Sequence, residues 1–231
     1  MANKSLVFML DVSGSMTVDG KYYAVLTAME MFGRVVLPNV NPPENVNLNI
    51  RIITFGSEVK WVYGDEVNGM PFNHFDWSQI KQNIPEPNGG TPIGGAIAKI
   101  VDMLYYGNTI SGPDQLAPAI ILISDGGPTD DYENQLKLAI EKKVGEESEG
   151  LFKRSLRTAI GIGVDEEARN KLKLFGRLSQ SLKDQGLQTY YDVNDKNLSQ
   201  LGDIIRSMTQ GFTQNLPPDP AGSSNQNVWD Q

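Results

Sequence analysis

Two uninterrupted apolar runs, SLVFML at residues 5–10 and AIILIS at 119–124, constrain this chain more than any other feature. A strand with one face in water alternates apolar and polar residues. A run without that alternation is the pattern of a strand buried on both faces, which belongs to a parallel sheet covered by helices above and below. Both runs stop at an aspartate, Asp11 and Asp125. After the first, KYYAVLTAMEMFGRVV (21–36) places Tyr22, Val25, Leu26, Met29, Phe32 and Val36 at helical spacing. After the second, a helix is predicted from about Tyr132 to Lys143.

The rest of the chain continues the alternation. NLNIRIITFGS (47–57) is β-branched and reads as a strand, and EVKWVYG (58–64) pairs back on it as a hairpin through Gly56-Ser57. Residues 64–92 form a long excursion rich in Gly, Pro and Asn, with one short helix from Trp77 to Gln82; excursions of that length are more often functional than simple connectors. TPIGGAIAKIVDMLYYG (91–107) reads as a helix with Thr91 at the N-cap and Pro92 at the first helical position. LRTAIGIG (156–163), EEARNKLKLFGRLS (166–179), QTYYDV (188–193) and NLSQLGDIIRSMT (197–209) read as strand, helix, strand and helix. The expected fold is α/β: a doubly wound, mostly parallel sheet with helices on both faces and one antiparallel edge strand at 58–63. One domain is expected over 1–212, and residues 213–231 have the composition of a flexible tail, in which Trp229 is a weak docking candidate.

Composition removes several function classes. The chain has 231 residues, 39% of them hydrophobic, which is ample for one core. Its net charge is −8 and it carries no Lys/Arg cluster, so nucleic acid and anionic membrane are poor partners. With no cysteine, disulfides and thiolate chemistry are excluded. The N-terminal apolar segment is too short for a signal peptide, and a membrane span needs about 20 apolar residues, so the expectation is a soluble cytoplasmic protein.

In an open α/β sheet, ligands bind beyond the carboxyl ends of the strands, near the point where strand order reverses. Three segments are expected at that edge: Asp11-Val12-Ser13-Gly14-Ser15 after the first strand, Thr91 in NGGTP, and Asp125 after AIILIS. They offer two carboxylates and three hydroxyls, with no His or Cys. An all-oxygen set suits a hard divalent cation such as Mg2+ rather than Zn2+ or Cu2+. Singly, each element is an ordinary turn or cap. Their coincidence at successive strand ends is what points to a site.

These residues resemble a known family, the von Willebrand factor A (VWA) domains, whose metal-ion-dependent adhesion site (MIDAS) is written D-x-S-x-S, then a distant Thr, then a distant Asp. DVSGSM (11–16), GGTPIGGAI (89–97) and LISDGGPTD (122–130) match in order, and the resemblance spans roughly residues 5–210. It implies that Ser13 and Ser15 bind the metal directly and that Thr91 joins them in the ligand-competent state. Asp11 and Asp125 then act largely through water. Mg2+ is the implied ion, with Mn2+ or Ca2+ as substitutes, and the implied partner is a protein that supplies an Asp or Glu carboxylate. ITFGSEVK and SDGGPTDD look most like bacterial tellurium-resistance VWA proteins of the TerY type, which are associated with a phosphatase and a kinase-like protein.

The competing reading is an enzyme. Asp11 at the end of a parallel strand also suggests a haloacid-dehalogenase-like, Mg2+-dependent phosphatase with Asp11 as nucleophile. That chemistry wants a carboxylate where Ser13 stands, and a lysine near the phosphate; no Lys closely follows the Thr or Asp elements. A binding module is therefore expected, and no catalytic activity. Other features read as structural: Gly161-Ile162-Gly163 is too short for a dinucleotide fingerprint, His74 suits a surface or packing role, Trp61 and Trp77 suit packing, and EKKVGEESEG (141–150) suits a solvated helix end.

Overall fold

The first apolar run lies within β1 (Ala2–Asp11), which bonds in parallel to β2 (Val46–Phe55) on one side and β5 (Ala119–Ser124) on the other. This computed structural model describes residues 2–65, 67–111, 116–142 and 150–214. With strands at both edges of β1 and helices on both faces, no residue from Leu6 to Leu10 is more than 2% exposed. Alternate side chains feed two separate cores. Leu6, Phe8, Leu10, Ile121 and Ile123 join one layer, with α1 (Lys21–Met31) and α8 (Gln200–Gln214). Val7, Met9, Ile120 and Leu122 join the other, with α3 (Ile93–Ser111), α4 (Tyr132–Glu141) and α6 (Glu166–Phe175). The missing alternation in the sequence is the signature of this two-sided burial.

The described residues form a seven-stranded sheet. Its order places β3 (Val59–Tyr63), β2, β1, β5, β6 (Leu156–Ile162) and β7 (Tyr190–Val193) side by side. β3 is the expected antiparallel edge strand. A two-residue strand, β4 (Met70–Pro71), also pairs antiparallel with β2. All other pairings are parallel. From β1 the chain winds outward to β2, then returns across the sheet to β5, so the strand order reverses between β1 and β5.

Several boundaries differ from expectation. The first helix passes at Met31 into a π-helical turn, Phe32–Val36, with both end residues still in the core. Gly33 lies there against Phe75, whose ring a Cβ would approach to 2.8 Å. The helix expected over 166–179 stops at Phe175, because Gly176 packs on the Thr189 backbone and Arg177 exchanges backbone hydrogen bonds with Arg157. Two short helices, α5 (Leu151–Arg154) and α7 (Gln180–Asp184), were not expected. The 64–92 excursion is a packed cover: α2 (Trp77–Ile80) buries Trp77 and Ile80 against the α1 layer, and Ile84 follows them. His74 is exposed. The readings placed on residues 143–149 and on the tail from 215, Trp229 included, lie outside the described residues. Among the described residues no helix is long and apolar enough to cross a membrane.

Candidate metal centre

The register places Leu10 opposite Ile123, so Asp11 leaves β1 beside Ser124 and Asp125 at the end of β5. This is the carboxyl edge, at the place where strand order reverses. Asp11 is 1% exposed. One carboxylate oxygen, Oδ1, accepts the backbone N–H of Ser13 at 2.7 Å; the other, Oδ2, accepts the hydroxyl of Ser124. Burial pushes the Asp11 carboxyl up to about 6, against the pull of its bonds from Ser124 and Ser13, and the charge of Asp125 adds to the rise.

Ser13 and Ser15 hydroxyls lie 3.1 Å apart, and the Ser15 hydroxyl donates to Asp125 Oδ1 at 2.7 Å. Each hydroxyl has one proton to give. Ser15 gives its proton to Asp125, which leaves Ser13 to direct its own at Ser15 or at the Asp11 carboxyl, which its side chain also reaches. Either way both protons point inward, to a carboxylate or along the serine pair, and lone pairs on both serines stay unused. Asp125 Oδ2 takes the ammonium of Lys21 at 3.1 Å. Both aspartates therefore have both oxygens engaged by the protein.

Thr91 is 5% exposed, and its hydroxyl makes no hydrogen bond among the described residues. It lies by Gly126, where a Cβ would stand 3.7 Å from Thr91 Oγ1. Contrary to expectation, the Thr91 side chain does not cap α3. Asp130 performs the capping instead: its two oxygens accept the N–H groups of Gly94 and Gly95 at 3.0 and 2.7 Å. Thr91 is held by its backbone alone, its N–H donating to Thr129 Oγ1 at 2.8 Å and its carbonyl accepting from Thr129 N–H at 3.0 Å. Its hydroxyl is left for the centre.

Backbone bonds lock the surrounding loops. Asn88 N–H donates to the Val12 carbonyl at 2.8 Å and Gly14 N–H to the Gly89 carbonyl at 3.0 Å. Gly89 has φ +79°, and a Cβ there would meet Ser57 at 2.6 Å, so position 89 requires glycine twice over.

Asp11, Ser13, Ser15 and Asp125 are thus linked in one hydrogen-bonded set, with Thr91 on its Gly126 side. Sequence reasoning missed Ser124, Lys21, Thr129 and Asp130. Ser124 had a signal, as the polar residue ending an apolar run. Lys21 had none, because its partner is 104 positions away.

The donor set fits a hard, oxygen-seeking cation. Among the described residues no three His, Cys, Asp or Glu side chains group as metal ligands, so a cation here must draw on the hydroxyls. The spare lone pairs of Ser13, Ser15 and Thr91, beside two buried aspartates of which one is paired with Lys21, meet that requirement.

No protein-family model matches the chain, and no curated protein matches it in sequence. Solved structures do match in shape. A von Willebrand factor type A protein from Catenulispora acidiphila is 16% identical with a TM-score of 0.57, over 90% of this chain and 42% of its own. Proximal thread matrix protein 1 from the mussel byssus, with a zinc-occupied MIDAS motif, is 16% identical with a TM-score of 0.62, over 92% of this chain and 48% of its own. The vWF domain of the type V pili tip protein Mfa5 from Porphyromonas gingivalis is 14% identical with a TM-score of 0.60, over 94% and 98%. This chain spans less than half the length of the first two. At these identities the likeness speaks for the architecture: the fold is that of von Willebrand factor A domains.

Proposed function

We propose that this chain is a divalent-metal-dependent, VWA-type interaction module whose centre receives an Asp or Glu carboxylate from a protein partner. The observation that carries this reading is the close set of hydroxyls backed by two buried carboxylates. Ser15 gives its proton to Asp125, and Ser13 has Ser15 and Asp11 as acceptors, so lone pairs on both are left for a cation, as is the hydroxyl of Thr91. Asp11 and Asp125 hold the hydroxyl-bearing turn from behind, with every carboxylate oxygen bonded inward. A cation bound mainly by neutral hydroxyls keeps its charge and supplies an open position for an incoming carboxylate. Mg2+ is the proposed ion, with Mn2+ or Ca2+ as substitutes. The mussel protein, whose MIDAS motif holds zinc, supports a divalent ion in this kind of site. The resemblance of ITFGSEVK and SDGGPTDD supports a bacterial stress system of the tellurium-resistance type as the setting, in the cytoplasm, with a phosphatase or kinase-like protein as partner.

The phosphatase reading has gained one element and lost another. Lys21 supplies an ammonium within the site, but that ammonium is paired with Asp125. Asp11 is a poor nucleophile here, since it is 1% exposed and both its oxygens hold hydrogen bonds. Ser13 offers no general acid near neutral pH. Binding without catalysis is the proposal.

Calorimetric titration with MgCl2 tests it. Wild type should bind, and Ser13→Ala and Ser15→Ala should each lose about tenfold or more in affinity. Capture of partners from a lysate of the source cell should then succeed in Mg2+ and fail in EDTA. Mg2+-dependent turnover of p-nitrophenyl phosphate that disappears in Asp11→Asn would replace the binding module with the enzyme.

A further inference from the structure

A cation site does not require a lysine in its wall, yet this one has it. Lys21 is the first residue of α1. Two successive residues with positive φ, Asp19 at 55° and Gly20 at 73°, turn the chain so that the helix starts with this side chain against the centre. The ammonium lies 3.1 Å from Asp125 Oδ2, the lysine side chain is 10% exposed, and the aspartate side chain is not exposed at all. Asp125 Oδ1 takes the Ser15 hydroxyl. Asp125 therefore stands between a hydroxyl of the centre and a fixed positive charge behind it.

A buried carboxylate without a counter-charge is strongly destabilising, and Lys21 removes that penalty when no cation is present. The same ammonium repels an incoming divalent cation across one carboxylate group. Coulomb repulsion between a unit and a double charge a few ångströms apart, in a partly buried setting, is enough to change an affinity about tenfold or more. It also takes up charge on Asp125 that would otherwise attract the cation.

We infer that Lys21 is the resident counter-ion of the metal-free centre, holding the fold together without a cation and limiting how tightly one is bound. This inference rests on the metal-site reading proposed above. It separates Lys21 from the residues around it: Asp11, Ser13, Ser15 and Thr91 favour the cation, whereas Lys21 opposes it. The exchange is between Lys21 and the divalent ion for the charge of Asp125.

MgCl2 titration of wild type, Lys21→Met, Lys21→Gln and Lys21→Arg at one pH, with thermal melts in EDTA and in Mg2+, decides the point. Lys21→Met and Lys21→Gln should bind Mg2+ about tenfold tighter or more, melt below wild type in EDTA, and gain more from Mg2+ than wild type does. Lys21→Arg keeps the charge and should track the wild-type affinity. A lysine that merely orients Asp125 would give the opposite sign, weaker Mg2+ binding on removal. Lys21→Gln is the variant to read if Lys21→Met fails to fold, since its amide still donates to Asp125. A wild type that binds Mg2+, with both neutral variants binding equally or more weakly, overturns this inference alone. A wild type that takes up no Mg2+ removes the metal-site reading and this inference with it.

Discussion

Both oxygens of Asp11 are bonded by the protein, and losing such a bond weakens the hold on a buried charge. Ser124 is the partner that can be removed without touching the D-x-S-x-S turn: its hydroxyl donates to Asp11 Oδ2 and its own residue is wholly buried. Ser124→Ala should cost about 1.5–3 kcal/mol, the range for a hydrogen bond to a charged group. It should also weaken Mg2+ binding about tenfold, because a carboxylate that orients the turn is itself left unoriented. Urea unfolding in EDTA and a Mg2+ titration measure the two effects; unchanged values in both would mean that Asp11 is oriented by Ser13 alone. Asp11, Ser13, Ser15, Thr91 and Asp125 were legible because each sits where an apolar run or a glycine pair ends, and chain order alone carries such positions to one sheet edge. The residues that hold them were less legible. Lys21 and Asp130 act on groups 104 and 36 positions away, so only tertiary packing brings them into range. Thr91 was misread as a cap for the same reason: the true cap comes from another loop.

At the scale of the element, β1 shows both what an apolar pattern predicts and where it fails. Its centre was readable, since continuous burial leaves no room for alternation. Its first residues were not: the apolar run begins at Ser5, yet the strand begins at Ala2 and Lys4 within it is 3% exposed. Helix ends failed similarly, at Met31 and Phe175, where contacts with distant segments (the Phe75 ring beside Gly33, the Thr189 and Arg157 backbone beside Gly176 and Arg177) rather than local propensity decide the boundary. Lys4 has a measurable consequence. Burial lowers its ammonium from 10.5 to about 8, so the folded chain holds that proton less tightly than the unfolded chain does. The penalty is complete below pH 8, shrinks as the pH rises toward 10.5, and is gone above it, so wild-type stability gains with pH across that window. Lys4→Met removes the penalty at its source. Urea unfolding at pH 7 should show the variant more stable by up to about 3 kcal/mol, the value of the shift at 1.36 kcal/mol per unit, and the advantage should narrow by pH 10. An advantage that is absent at pH 7, or that widens with pH, would assign Lys4 a favourable partner.

At the scale of the whole molecule, the centre's loops behave as one body. Val12 N–H reaches the Phe55 carbonyl, Asn88 reaches Val12, Gly14 reaches Gly89, and Thr129 exchanges two bonds with Thr91 while Asp130 caps α3. Residues 12–14 and 88–89 are therefore tied by backbone groups alone, whereas 129–130 joins 91–95 through one backbone bond and the side chains of Thr129 and Asp130. The sequence pattern of Pro85, Pro87, Gly89 and Gly90 suggests a loop free to pivot, and these bonds deny it an independent pivot. A cation or partner carboxylate that draws on the Thr91 hydroxyl must shift the 129–130 loop and the start of α3 with it. With a net charge of −8 repelling acidic partners at long range, recognition must rest on the local charge of the bound cation, so this coupling lies on the path to partner binding. Hydrogen exchange tests it directly: Mg2+ should slow exchange in 86–95 and 125–131 together, because both must open for either to exchange. Thr91→Ala keeps both backbone bonds to Thr129 and loses only the hydroxyl, so it should retain joint protection by Mg2+ while binding a partner carboxylate more weakly. Asp11→Ala, which releases the serine turn itself, should lose Mg2+ binding and all of the added protection. Protection by Mg2+ confined to residues 11–15 in the wild type would mean the three loops respond separately, leaving a static clamp in which Thr91 transmits nothing to α3.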